Sequence, residues 1–225
     1  MTDSAPSAIT IPKSLFIFSL VYGGLVVLAG VLGTKIANIG PLNVESGIFA
    51  FLMLVVLSSA VAELHGKSVA DRLVRYGFIP LILSMALIWL VIRLPSAPFW
   101  SLQDQFAGIL GQGARMQFAG LISYGISQTL NVYVFTKLKG EGSGRAAWLR
   151  GLIAGLLSQA LDTVLFITIA FYGVVDPASG QEMPIANIMT GQIIAKLTLV
   201  VVFVPILISA MVKLGRKLDG GSAGA

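Results

Sequence analysis

A polar pattern occurs twice in this chain, each time inside a long apolar stretch: Ser127-Gln128-Thr129-Leu130-Asn131-Val132-Tyr133-Val134-Phe135 and Ser158-Gln159-Ala160-Leu161-Asp162-Thr163-Val164-Leu165-Phe166. Residues three or four apart share a helix face, so Ser127, Gln128 and Asn131 form one polar patch and Ser158, Gln159 and Asp162 form another. The amides of Gln128, Gln159 and Asn131 donate and accept hydrogen bonds, whereas ionised Asp162 only accepts. Such a set suits a flat, polar heterocycle: a carboxylate takes two parallel hydrogen bonds from the N–H and exocyclic amine of a guanine-type edge, and amides read the remaining edges. Tyr124, one turn before Gln128, offers a stacking face. Lys196 lies inside a further apolar run and is expected to pair with Asp162, because an unpaired charge in hydrocarbon is expensive. The plainer alternative is a buried Asp162–Lys196 salt bridge, with Gln, Asn and Ser as interhelical glue worth about 0.6 kcal/mol each. Glue does not require the same pattern twice with an acid in one copy.

Composition says what must position these groups. The chain is 56% hydrophobic and 11% charged, with a mean hydropathy of +0.90, values typical of a polytopic membrane protein. The absence of cysteine excludes disulfides, thiolate nucleophiles and cysteine-ligated metals, and the single histidine, His65, leaves no clustered ligand set for a metal. No cofactor is expected. Met1 to Pro12 carries no basic residue, so it does not read as a secretory signal.

Apolar windows of about 20 residues, the length that crosses a bilayer, fall near residues 14–33, 47–64, 77–94, 116–137, 148–174 and 186–212. They predict an all-α fold of six transmembrane helices forming one domain over residues 1–225. Gly40-Pro41, Pro95-Ser96-Ala97-Pro98, Gly140-Glu141-Gly142-Ser143-Gly144 and Asp176-Pro177 punctuate the connections. Lys13, Lys67, Arg72, Arg75, Lys137, Lys139, Arg145, Arg150, Lys213, Arg216 and Lys217 all fall on one side, so the positive-inside rule puts both termini in the cytoplasm. Topology thereby accounts for the net charge of +5, and nucleic-acid binding is not expected.

Other residues are less specific. Glu63 lies at a membrane edge, where a gate could sit. Arg115 opens the fourth span from outside, as an interface anchor or as an attractor for an incoming ligand. Gly23, Gly24, Ala29, Gly30 and Gly33 let the first span pack closely on a neighbour or on a second copy as a homodimer.

Taken together, Gly111-Gln112-Gly113-Ala114-Arg115 leading into Tyr124 to Phe135, Leu149-Arg150 leading into Ser158 to Phe166, Glu63-Leu64-His65-Gly66 with Ala70-Asp71-Arg72, and Lys196 resemble the queuosine precursor transporters, or vitamin uptake-like transporters. The resemblance implies a six-helix carrier, similar to vitamin-importer substrate-binding subunits. It would bring 7-cyano- or 7-aminomethyl-7-deazaguanine, or queuine, across the bacterial inner membrane for tRNA modification. The family often carries Asp at the positions of Ser59 and Asn131, which leaves Asp162 as the principal anion here.

Three functions follow. The first is a transporter that holds a nucleobase-like ligand on Gln128, Asn131, Gln159, Asp162, Lys196, Tyr124, Ser127 and Ser158, with Glu63 and Arg115 at its gates. The second is the substrate-binding subunit of an energy-coupled importer. The third, a membrane-embedded enzyme, lacks an intramembrane His to activate Ser127 or Ser158.

Overall fold

A computed structural model describes residues 11–137, 147–176 and 179–220, apart from the side chains at 128, 131, 132, 135, 136, 147–152, 154, 155 and 200. Helices occur at every predicted window: α1 (Lys13–Gly33), α2 (Ile48–His65), α3 (Lys67–Ile92), α4 (Gln103–Lys137), α5 (Ala147–Phe171), α6 (Ile185–Val202) and α7 (Val204–Leu218). Leu20, Ile79, Leu83, Trp89 and Ile206 point outward, the arrangement expected of apolar side chains that meet lipid. Among the described residues, α1, α2 and α3 are each long and apolar enough to cross a membrane. The α6–α7 pair qualifies as a further span if its two parts are taken together.

The last predicted span is broken rather than continuous, with a 51° bend between its halves. Pro205 explains the break: it has no N–H to donate, its ring clashes with the preceding turn, and it fits best in the first turn of a new helix, where it stands. The fourth helix starts well before its predicted window and runs for 35 residues, roughly 50 Å at 1.5 Å per residue and longer than the hydrocarbon core is thick.

The fold is also not purely helical. Strands β1 (Ile36–Ile39) and β2 (Leu42–Glu45) form an antiparallel hairpin between α1 and α2, pairing Ile36 with Glu45 and Ile39 with Leu42. Its two-residue loop is Gly40-Pro41, and Gly40 supplies the positive φ of 59° that tight hairpin loops need. Val44, fully buried, packs with Ile48 and Ala195, so the hairpin is anchored on α6. There a side chain on Gly191 would collide with the Asn43 backbone. Only glycine permits so close an approach.

Two apolar clusters organise the helices. One joins α1, α2, α3 and α7 around Phe18, Leu57, Val61 and Val212; the other joins α4, α5 and α6 around Met116, Ile167, Phe171 and Ile188. The first cluster is closed by a polar latch. The Asp219 carboxylate accepts hydrogen bonds from the Ser14 backbone N–H at 2.8 Å and the Ser14 hydroxyl at 2.6 Å, and His65 Nε2 lies 2.7 Å from the same hydroxyl. The start of α1, the end of α2 and the end of α7 therefore meet at one end of the bundle. The bonds from Ser14 hold the Asp219 carboxyl below its ordinary pKa.

Three of the small residues of α1 pack within the chain: Gly30 abuts Gln117, Gly33 abuts Glu45 and Met116, and Gly23 faces Pro80 of α3, whereas a side chain on Gly24 would meet open space.

Candidate functional site

Between the two clusters lies a cavity of about 380 Å³, bordered by α1 to α6 and by the turn that follows the hairpin. Each helix presents one stripe. On α4, Met116, Gln117, Gly120, Ser123, Tyr124 and Ser127 recur at helical spacing; on α5 the stripe is Gln159, Asp162 and Phe166; on α6 it is Gln192 and Lys196. Apolar and aromatic walls come from Tyr22 of α1, Phe51 of α2 and Phe78 of α3. The Tyr124 ring is set against that of Phe78, with centroids 5.4 Å apart.

The two polar repeats meet across an antiparallel α4–α5 pair. Gln112 near the start of α4 donates to the Ala170 carbonyl near the end of α5 at 2.9 Å, and further along the Ser127 hydroxyl donates to Asp162 Oδ1 at 3.5 Å. Asp162 Oδ2 lies 3.5 Å from Lys196 Nζ, and each side chain is 14% exposed. The ammonium also lies 3.3 Å from Thr163 Oγ1 and 4.9 Å from the centre of the Phe51 ring. Charge-assisted N–H···O bonds are usually about 2.7–2.9 Å long. Lys196 is therefore shared among three partners rather than locked on one, and both charged groups reach open space.

A second carboxylate faces the cavity. Glu45, 3% exposed, accepts a hydrogen bond from the Gly47 backbone N–H to Oε1 at 2.6 Å and one from Gln192 Nε2 to Oε2 at 3.2 Å. Its own N–H donates to Gln192 Oε1 at 3.1 Å, so Gln192 clamps the hairpin end to α6 through both amide atoms. The hairpin lies outside the membrane-spanning helices. Burial pushes the Glu45 carboxyl up to about 7, opposed by the Gly47 N–H, the Lys196 charge and Gln192.

Of the residues expected to bind, Tyr124, Ser127, Gln159, Asp162 and Lys196 all border this cavity. Ser158 is buried in α5 and does not line it. The side chains of Gln128 and Asn131 lie outside the described residues. Glu63 is exposed on the last turn of α2, away from the cavity. Arg115 stands inside α4 rather than at its start: its Nε donates to the Ile169 carbonyl at 2.7 Å and its Nη2 to the Tyr172 carbonyl at 2.6 Å. It satisfies carbonyls at the end of α5, which otherwise lack intrahelical donors.

Sequence reasoning missed Glu45, Gln192 and Gln117. Gln192 was within reach, since it precedes Lys196 by one turn on the same face. Gln117 bridges three helices, donating to the Val27 carbonyl at 3.1 Å and accepting from Ser84 at 3.1 Å. Glu45 had no sequence signal, because a lone acid before an apolar window reads as loop.

A family described as "Putative vitamin uptake transporter" matches residues 45–210. The chain belongs to this vitamin uptake transporter family. It is also similar to a Bacillus subtilis (strain 168) protein named "Probable queuosine precursor transporter", with 30% identity over 113 residues covering 50% of this chain and 49% of that protein. The matched stretch thus spans about half of that relative's length. No solved structure matches. The family match reaches from Glu45 past Lys196, so it takes in both carboxylates of the cavity and the cation between them. The family's description is that of a transporter, and the long apolar helices fit a membrane protein.

Proposed function

We propose that this chain imports a 7-deazaguanine precursor of queuosine across the bacterial inner membrane, using six spans with both termini in the cytoplasm. The carrying observation is the Asp162–Lys196 pair on the wall of a cavity of about 380 Å³, a volume in the range of small-molecule sites, roughly 300–1,000 Å³. Asp162 accepts from the N–H and exocyclic amine of the guanine-like edge. Lys196 compensates Asp162 when the site is empty and turns to a ligand carbonyl when it is full, a move favoured by its long, shared contacts. Gln159 and Gln117 read ring edges, and Tyr124 or Phe51 covers a ring face. Gln128 and Asn131 complete the amide set. The name of the similar Bacillus subtilis protein supports the substrate class.

The test is uptake. Cells unable to make or import the precursor should regain queuosine in their tRNA when given this chain and a 7-deazaguanine precursor, and Asp162→Asn at matched expression should abolish the rescue. Rescue by Asp162→Asn equal to that by the unaltered chain would sink the reading. Rescue that depends on a host coupling ATPase would assign the chain to an energy-coupled importer.

A further inference from the structure

The cavity holds two carboxylates and one ammonium. Lys196 pairs with Asp162, and among the described residues no ion pair reaches Glu45, whose partners are the neutral Gly47 N–H and the Gln192 amide. A buried carboxylate without a cation is costly and is relieved in one of two ways, by a proton or by a positive group brought to it. Other titratable side chains bordering the space are Tyr22 of α1, Tyr124 of α4, Asp162 of α5 and Lys196 of α6; α2 and α3 line it with none. Lys196 is the sole cation among them, and it is engaged.

We propose that Glu45 is the counter-ion for a protonated amine on the ligand, so that the site selects a flat polar heterocycle bearing an ammonium over its neutral analogue. This rests on the substrate reading above and narrows it to an aminomethyl-bearing 7-deazaguanine. The geometry divides the labour: Asp162 on α5 takes the donor edge of the ring, while Glu45, carried on the hairpin, takes the substituent. Gln192 fixes Glu45 from α6, one turn from Lys196, the partner of Asp162, so both carboxylates are braced by residues of one helix. A ligand cation and a proton compete for Glu45. An alkylamine, titrating near the lysine value of about 10.4, stays charged through neutral pH, and the Glu45 carboxyl titrates near 7. Its ionised fraction therefore rises from about one-tenth at pH 6 to about nine-tenths at pH 8, an increase of roughly tenfold.

Calorimetric titration of the purified full chain with 7-aminomethyl- and 7-cyano-7-deazaguanine, at pH 6 and pH 8, tests this. The expected result is that the aminomethyl compound binds more tightly, and that its advantage over the cyano compound grows roughly tenfold between the two pH values. In Glu45→Gln the ratio of the two affinities should collapse toward one and lose its pH dependence, while Glu45→Asp, which keeps the charge, should retain it. An unaltered ratio in Glu45→Gln overturns the proposal, as does equal binding of the two compounds by the unaltered protein at pH 8. Binding of the cyano compound alone overturns the role of Glu45 and leaves the precursor reading standing; binding of neither overturns both.

Discussion

The Asp162–Lys196 pair allows a quantitative test of whether the two charges compensate each other. At 3.5 Å, two unit charges interact by roughly 5 kcal/mol at an effective dielectric of about 20. Removing one partner from a buried pair typically costs about 3–5 kcal/mol, because the other is left uncompensated. Both groups here touch the cavity and their contact is long, so the low end applies. Lys196→Met should destabilise the protein by about 3 kcal/mol, since among the described residues Asp162 would keep only the Ser127 hydroxyl at 3.5 Å. Asp162→Asn should cost less, because Lys196 retains Thr163 at 3.3 Å and the Phe51 ring at 4.9 Å. The double variant, with no charge left to strand, should be less destabilised than the sum of the singles by about 2 kcal/mol, a coupling typical of contacting residues. Thermal unfolding of the purified protein in detergent at a fixed scan rate measures all four corners. One kcal/mol corresponds to about 2–4 °C for a chain of this size, so Lys196→Met should lower Tm by roughly 6–12 °C. Strict additivity in the double variant would refute the compensation and leave the lysine without a role in balancing Asp162.

Two further outcomes separate structural groups from binding groups. Arg115→Ala should lower stability by about 1–3 kcal/mol, the cost of leaving the Ile169 and Tyr172 carbonyls without a donor, while ligand affinity measured by calorimetry stays unchanged; a loss of affinity at unchanged stability would make Arg115 a ligand attractor after all. Asp219, whose carboxyl is held below its ordinary value by Ser14, stabilises the fold above the unfolded carboxylate pKa of about 3.9 and loses that contribution as pH falls through the folded value. Thermal unfolding of Asp219→Asn should accordingly fall below that of the unaltered chain at pH 7 and converge with it in strong acid. Parallel curves across that range would show that the latch carries no linked charge.

The polar repeats marked the cavity wall because helical spacing is a local property. Once Ser127 and Asp162 lie in apolar helices, the 3.6-residue period puts Tyr124 on the face of Ser127 and Gln159 on the face of Asp162, and the cost of charge in hydrocarbon calls for Lys196. Apolar length likewise placed a helix in every predicted window, with α6 and α7 sharing the last one. The break at Pro205 was written in the sequence as proline chemistry but overridden by the apolar length of the window.

Tertiary structure decided the rest. Whether Arg115 faces a ligand or the end of α5 depends on how α4 and α5 slide past each other, and that register is set by packing at Met116, Ile167 and Phe171 rather than by any one residue. Glu45 became a cavity group because Gly191 lets the hairpin lie directly on α6, a contact across 147 residues of chain. The helices, their polar stripes and the need for a paired acid and base were legible in the chain, since they follow from apolar length, helical spacing and the cost of burying charge. It took the assembled fold to bring a second carboxylate, Glu45, to the cavity that Asp162 borders, because joining a strand end to a distant helix is a long-range contact that no local spacing encodes.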